Sequence, residues 1–252
     1  MYHKIINFLP IFFAFICIIS WIGTSIAQTQ DANNTCAPMN RTCILEDIQT
    51  ETAKIKNQSW KDQTYRELAK TYAFDGYFDK AIGIIPLIQT PDTKAMTIRG
   101  IGMTIAAQEH NNESHHNMFT TLRVQAEKIE HPASYAIALT YIAMAQAFAG
   151  DNEGAWKTAA AMENDALRHK AYGETAEIQA EKSDFKSARI SIQKIESEAY
   201  RNKAYSIVSG LLADNALYED AYSAAISITN PYKKASALQY ILDAEKPRDV
   251  KH

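Results

Sequence analysis

The residues best equipped for chemistry gather at positions 109–117, in the run EHNNESHHN. His110, His115 and His116 beside Glu109 and Glu113 offer three imidazoles and two carboxylates, a donor set suited to Zn²⁺ or Ni²⁺. None of them has the His-Glu-x-x-His spacing that puts two imidazoles and a base on one helical face. Asn, Ser and Glu are also what solvated loops contain, so the run is read as a surface excursion between two helices, with no metal. Ser183-Asp-Phe-Lys186 and Ser191-Ile-Gln-Lys194 both fit Ser-x-x-Lys, which sets a lysine one helical turn from a nucleophilic hydroxyl. The companion motifs of that chemistry are missing, as are Gly-x-Ser-x-Gly and a phosphate loop. The chain is therefore read as a non-enzyme, without catalytic residues or cofactor. Lys94, Lys170, Lys203 and Lys234 recur near helix starts and are assigned to solvent or to the carbonyl ends of preceding helices.

Cys36 and Cys43 lie in the stretch TCAPMNRTC and follow a leader-like segment. Residues 1–27 begin with a single Lys4, run almost unbroken in apolar residues from 5 to 22, and end on Ser25-Ile26-Ala27. That is the layout of a secretory signal peptide cut before Gln28, the alternative being an N-terminal membrane anchor. Cys17 goes with the leader, and an exported chain with two remaining cysteines is expected to join them. A pair of metal-binding thiolates is the alternative, without nearby His or further Cys to complete it. The expected location is periplasmic or extracellular, with no membrane contact after cleavage. Asn33, Asn40, Asn57 and Asn112 each open an Asn-x-Ser/Thr triplet, which matters only in a eukaryotic secretory route.

What positions these residues is helix. The 252 residues include 38 Ala but only 9 Gly and 7 Pro, and 46% are hydrophobic. Few breakers and much Ala argue against a turn-rich β protein. A formal charge of −3 leaves no electrostatic footprint for nucleic acid. Four segments, starting at Thr64, Ala138, Ala171 and Ala204, superpose without gaps. Small residues recur at fixed offsets, as in Ala69, Ala73 and Ala81 or Ala143, Ala147 and Ala155. A turn residue follows at Gly76, Gly150 and Ser183, with Ala216 in its place once, and a large apolar residue closes each unit at Ile88, Ile129, Met162, Ile195 and Ile228. Those five are 41, 33, 33 and 33 apart, so the period is 33 and the second unit carries eight extra residues, within 109–117. The predicted fold is all-α: an α-α solenoid of about five 33-residue helical hairpins over residues 44–245, with a leading half-repeat at 44–57 and a closing helix at 231–245. Residues 28–43 form an N-terminal segment with the cysteine loop, and 246–252 a polar tail.

Leu68-Ala69-x-x-Tyr72 followed by Gly76-x-Phe78-x-x-Ala81 resembles the tetratricopeptide repeat. The resemblance runs over residues 60–232, with departures: a period of 33 against the family's roughly 34, large residues at Ile88 and its equivalents where Ala is usual, and displaced prolines at Pro91, Pro132 and Pro231. It implies a peptide groove lined by the first helix of each hairpin. Carried over in frame, the groove takes Arg66, Lys70 and Phe74, then Arg99 and Met103, then Thr140, Met144 and Phe148, then Glu177 and Glu181, and finally Ser206 and Asp214. Its early part is basic with Met and Phe, and its later part acidic. The expected function is an exported adaptor or scaffold that holds a protein or peptide on its concave face, acidic and apolar end at the basic part. The alternatives are an envelope-assembly subunit binding through its convex face or an end, and a helical domain acting on cell-wall glycan. The latter needs paired acids in a cleft, which the sequence does not offer.

Overall fold

The computed structural model describes Cys36 and residues 40–245, with the backbone alone at Asn112. The expected leader, most of the segment 28–43 and the tail 246–252 lie outside the described residues. Within them the chain is all-helical, with no strand. First helices of successive hairpins are α2 (Gln58–Phe74), α4 (Pro91–Ala106), α6 (Pro132–Phe148), α8 (Asp165–Glu181), α10 (Glu198–Asp214) and the lone α12 (Pro231–Glu245). Second helices are the lone α1 (Arg41–Lys54), then α3 (Phe78–Ile84) with a 3-10 turn at Ile85–Leu87, α5 (Asn112–Ala126), α7 (Asn152–Ala160), α9 (Phe185–Gln193) and α11 (Tyr218–Ile226). Each first helix packs on the next first helix, and each second helix of a complete hairpin packs on the first helix before it. Pro91, Pro132 and Pro231 open α4, α6 and α12, where the missing N–H costs nothing.

Ala69, Ala81, Ala143, Ala155, Ala176 and Ala188 are fully buried, as the recurring small positions required. Ile88, Ile129, Met162, Ile195 and Ile228 are buried at the ends of their hairpins. Four of the five turns between paired helices, all but that between α4 and α5, share one device. Gly76 has φ 81° and Gly150 φ 87°. The N–H of Gly76 donates to the Ala73 carbonyl (3.1 Å) and that of Tyr77 to Tyr72 (2.8 Å), the two bonds of a Schellman cap. Ser183 and Ala216 make the same bonds in the same left-handed conformation, at φ 61° and 59°. An L side chain there costs roughly 1–2 kcal/mol, which the packing on either side offsets.

The insertion at 109–117 is not a loop. Most of it is the start of α5, which has 15 residues where α7, α9 and α11 have 9 each. Asn111 caps the helix by accepting from the Ser114 N–H at 2.7 Å, and Glu113 sits in the first turn, where the helix dipole favours an acid. His115, 8% exposed, lies with Nε2 3.2 Å from the Ile105 carbonyl oxygen and its ring against Phe119. Residues suited to a loop are equally suited to a helix start, and here the cap prevailed.

Hairpins are joined by buried polar clamps. Asp62 is 1% exposed; its Oδ1 accepts from Gln58 Nε2 (2.7 Å) and the Gln89 N–H (3.1 Å), and its Oδ2 from the Thr90 N–H (2.8 Å). His169 and Asn202, in the same frame position, accept from the N–H groups of Glu196 and Thr229. Burial works to raise the Asp62 carboxyl, but the donors from Thr90, Gln89 and Gln58 outweigh it and hold it below the usual carboxylate value.

Two outcomes follow from these elements. Ala216→Gly relieves the left-handed strain and is expected to stabilise the chain by about 0.5–1 kcal/mol, raising the melting midpoint by about 1–3 °C. Gly76→Ala is expected to lower it in the same calorimetric scan. For Asp62 the folded value is depressed, so its stabilisation is present above the ordinary carboxylate pKa and is lost as pH falls through the folded value. Asp62→Ala is expected to cost about 2–4 kcal/mol at pH 7 in urea titration, because it strands buried N–H donors. The wild type should lose more stability than Asp62→Asn between pH 7 and pH 3.

Candidate functional site

Residues four apart share a helical face, and α2 presents Arg66, Lys70 and Phe74 beside Arg99 and Met103 on the neighbouring α4. All five line one cavity of about 740 Å³ between the two helices. Met96, Thr104 and Gln108 complete it. These three were missed because the frame selected one residue per turn of α4, whereas residues three and four away share that face. A Cβ on Gly100 would fall 2.6 Å from Lys70 Cγ, so this glycine lets the lysine stem lie across α4. Gln108 Nε2 donates to the Ala73 and Phe74 carbonyls at 3.0 and 3.1 Å, tying the far ends of α2 and α4 together. Phe74 stays 72% exposed at the mouth.

The electrostatics are basic. Arg66 Nη2 and Nε lie 2.8 and 3.0 Å from Glu67 Oε1, and Lys70 Nζ is 3.2 Å from Glu67 Oε2. The Arg66 donors hold the Glu67 carboxyl below its ordinary value, with burial opposing and Lys70 assisting. Arg99 lies over the Tyr141 ring, 4.8 Å from its centroid. Two of the three cations are thus paired with Glu67, and the third rests on an aromatic ring, beside walls of Met and Phe. The arrangement is chemically suited to a carboxylate-bearing group with an apolar neighbour: the cations can supply charge-assisted hydrogen bonds, and methionine adapts to an irregular apolar surface.

The remaining groove residues do not continue this surface. Thr140 is 5% exposed, its Oγ1 donating to the Ala136 carbonyl at 2.9 Å. It offers no hydroxyl to a ligand, because the Ala-rich α6 is packed between α4 and α8. Met144 and Phe148 are half-buried against Ala143, Ala147, Ala155 and Ile178. Lys182 Nζ lies 4.5 Å from the centre of the Phe148 ring and donates to the Phe148 carbonyl at 2.7 Å. Glu177 lines a separate cavity of about 210 Å³ between α8 and α10, with Lys170, Glu174, Tyr200 and Lys203. Burial and the nearby Glu174 push its carboxyl up, against the pull of Lys203. Glu181 is exposed, and Asp214 Oδ1 accepts from the Tyr240 hydroxyl at 2.8 Å.

The other chemical candidates separate. Ser191 is buried, donates to Gln179 Oε1 at 2.6 Å and accepts from Trp156 Nε1 at 2.7 Å, so its hydroxyl is engaged in packing. Lys194 lies over the Trp156 ring. Ser183 is the left-handed turn residue. Carbonyl ends of preceding hairpins are capped by Arg168 and Arg201, on Met162 and Ile195, which the lysine-based reading overlooked. Cys36 and Cys43 are joined in a disulfide with Cα atoms 5.6 Å apart, which fastens Cys36 to the first turn of α1. Among the described residues, one group of three His, Cys, Asp or Glu ligand atoms lies within 4.8 Å: Cys36, Cys43 and Asp47. Its sulfurs are bridged and are not thiolates. The histidines at 110, 115 and 116 do not converge in such a group.

No protein-family model matches the chain, and no curated protein is similar to it in sequence. Among solved structures, Ton1535 from Thermococcus onnurineus NA1 is similar at 15% identity, over 79% of this chain and 84% of its own, with a TM-score of 0.25. A likeness of that size carries no argument, and what stands is an all-helical chain with a basic, Met- and Phe-lined groove between α2 and α4.

Proposed function

We propose that the helices form an α-solenoid of five tetratricopeptide-like hairpins and that the protein is an exported adaptor holding an acidic, apolar protein segment between α2 and α4. The observation that carries the reading is convergence. Five residues taken from two helices by repeat frame alone line one cavity, three of them cationic and two apolar, partners of the kind such a segment needs. The same geometry shortens the binding surface. With Thr140 buried and Phe148 covered by Lys182, the ligand is held at the first two hairpins and does not run the length of the array. Support for the helical stacking comes from the recurrent packing of each first helix on the next, and from junction clamps one period apart. Support for export comes from the disulfide, which belongs to oxidising compartments. No described helix is long and apolar enough to cross a membrane.

Reversing both Arg66 and Arg99 to Glu replaces two attractive contacts by two repulsive ones. Binding of a fluorescein-labelled peptide of interspersed Glu, Leu and Phe, followed by anisotropy at low salt, is expected to weaken at least about tenfold. Both side chains lie at the surface, so the helical circular dichroism and melting curve should remain nearly unchanged. Unaltered binding by the double variant would remove the groove from this function.

A further inference from the structure

The cavity of about 210 Å³ between α8 and α10 occupies the same repeat positions as the groove between α2 and α4, with different chemistry. Glu177 stands where Lys70 does, Gly173 where Arg66 does and Ser206 where Arg99 does. Three cations give way to an acid and two small residues, so the cavity does not repeat the groove. Its volume lies below the roughly 300–1,000 Å³ of pockets for drug-sized ligands, which sets the scale of its occupant near that of an amino acid.

Charge in the cavity is sorted by depth. Glu177 is half-buried and the Glu174 side chain 25% exposed, whereas the Lys170 side chain is 58% exposed and Lys203 is exposed as well. Acids therefore line the wall and lysines the rim. Lys170 Nζ lies 3.5 Å from Glu174 Oε1, so that pair satisfies itself. Among the described residues, neither the Glu177 carboxylate nor the Lys203 ammonium has a hydrogen-bond or ion-pair partner; Lys203 acts on Glu177 from beyond ion-pair distance. Burial, with Glu174 adding to it, pushes the Glu177 carboxyl up, and a cation placed beside it offsets both effects. The remaining walls are apolar or aromatic. Ala204 and Ile207 come from α10. The Tyr200 ring stands against buried His169, with centroids 5.6 Å apart, and His169 Nε2 accepts from the Glu196 N–H at 3.3 Å, which holds its ring in place. Opposite them Gly173 contributes no side chain: a Cβ there would meet nothing nearer than Ala204 Cβ at 4.0 Å.

We propose that this cavity binds a small zwitterion, an α-amino acid with an apolar side chain. Its ammonium pairs with Glu177, its carboxylate with Lys203, and its side chain lies against Ile207 and Tyr200. An α-amino acid carries both charges on one carbon and so answers both unpaired groups at once. A simple amine or a simple carboxylate answers one and leaves the other in the cavity unpaired. The site stands on the residues of α8 and α10 and does not rest on the groove between α2 and α4.

The test is isothermal titration calorimetry of the purified protein with L-valine, L-leucine, L-methionine and L-phenylalanine, each up to about 10 mM. The expected result is saturable binding of at least one of them, one molecule per chain. The amide of that amino acid, which lacks the carboxylate, and its deaminated acid, which lacks the ammonium, should each bind at least about tenfold more weakly. Glu177→Gln and Lys203→Gln should weaken binding by a similar factor with the melting curve nearly unchanged, since neither side chain has a partner to lose. Gly173→Leu should abolish binding by filling the cavity, at a helical position where leucine is favoured over glycine; Glu177→Gln decides the matter if that variant does not fold. Absence of saturable binding by all four amino acids overturns the proposal. So does equal binding of the amide or the acid, or binding that survives Gly173→Leu or Glu177→Gln. Anisotropy with the acidic peptide on Gly173→Leu is expected to match the wild type, which separates this site from the groove.

Discussion

Two α-helices come within the lower end of the 8–10 Å range of axial separations only where both present small side chains at the crossing. Ala69 with Ala81, and their equivalents at 143 and 155, 176 and 188, and 209 and 221, are buried small side chains that permit that approach in four of the five hairpins. Much else is a consequence. Large residues fill what the small ones leave, inside the helices at Tyr72, Ile101, Phe119 and Ile142 and at the junctions, where Ile88, Ile129, Met162, Ile195 and Ile228 close each hairpin over the next. The next helix begins at once, within three to five residues of the last, which leaves N–H groups of the short junction, just ahead of the helix, in need of partners. Asp62, His169 and Asn202 exist at their frame position to take those hydrogens. Side chains thus perform at the junctions what water performs at an ordinary helix start.

The groove between α2 and α4 follows from the same packing. First helices laid side by side repeat one face outward, and a ligand site arises where that face carries long side chains without neighbours covering them. α2 and α4 meet this condition, because Gly100 makes room for Lys70 and because Phe74 stays exposed, while Arg99 rests on the Tyr141 ring of α6. α6 does not, since its alanines draw α4 and α8 close and bury Thr140. Glu67 shows what two of the cations accept: one carboxylate spans the Arg66 guanidinium and the Lys70 ammonium. Exposed pairs of this kind are worth about 0–1 kcal/mol, so the pairing holds these two cations in place only weakly.

Period, turn positions and closing residues were legible in the sequence because each is a local requirement repeated several times. Ala216 was recognisable as the turn position only through its copies at Gly76 and Gly150; alone, an alanine gives no sign of a positive φ. The basic groove residues were likewise accessible, since their four-residue spacing fixes a face whatever the neighbours do. What escaped was tertiary. The insertion at 109–117 has the composition of a loop, and its helical outcome rests on the Asn111 cap and on a slot that buries His115 against Ile105. Thr140 and Phe148 share a helical face by spacing, but the covering by Lys182 and the crowding around α6 come from other hairpins. The role of Asp62 depended on two N–H groups 27 and 28 residues away.

A row of similar hairpins also faces a problem of register, because units that resemble one another can stack in the wrong order at little cost. The third and fourth hairpins carry the feature that removes this degeneracy. Thr158 donates to Gln146 Oε1 at 2.7 Å, and one period later Ser191 donates to Gln179 Oε1 at 2.6 Å. Gln179 Nε2 in turn donates to Asn152 across the junction, and Asn152 reaches Asp184 and Ser187 of the following unit. The positions of Gln146 and Gln179 are taken elsewhere by Tyr72, Ile105 and Leu212, which offer no such partner in the core. Any stacking that set the third or fourth hairpin against a different neighbour would break the bonds that cross the junction and leave the Gln179 and Asn152 amides and the Trp156 N–H unpaired, at about 1–3 kcal/mol for each buried group. Apolar contacts between alanines cannot discriminate in this way, because three of the five hairpins bury the same Ala pair. Closeness of approach therefore builds the array, and the buried polar seam orders it.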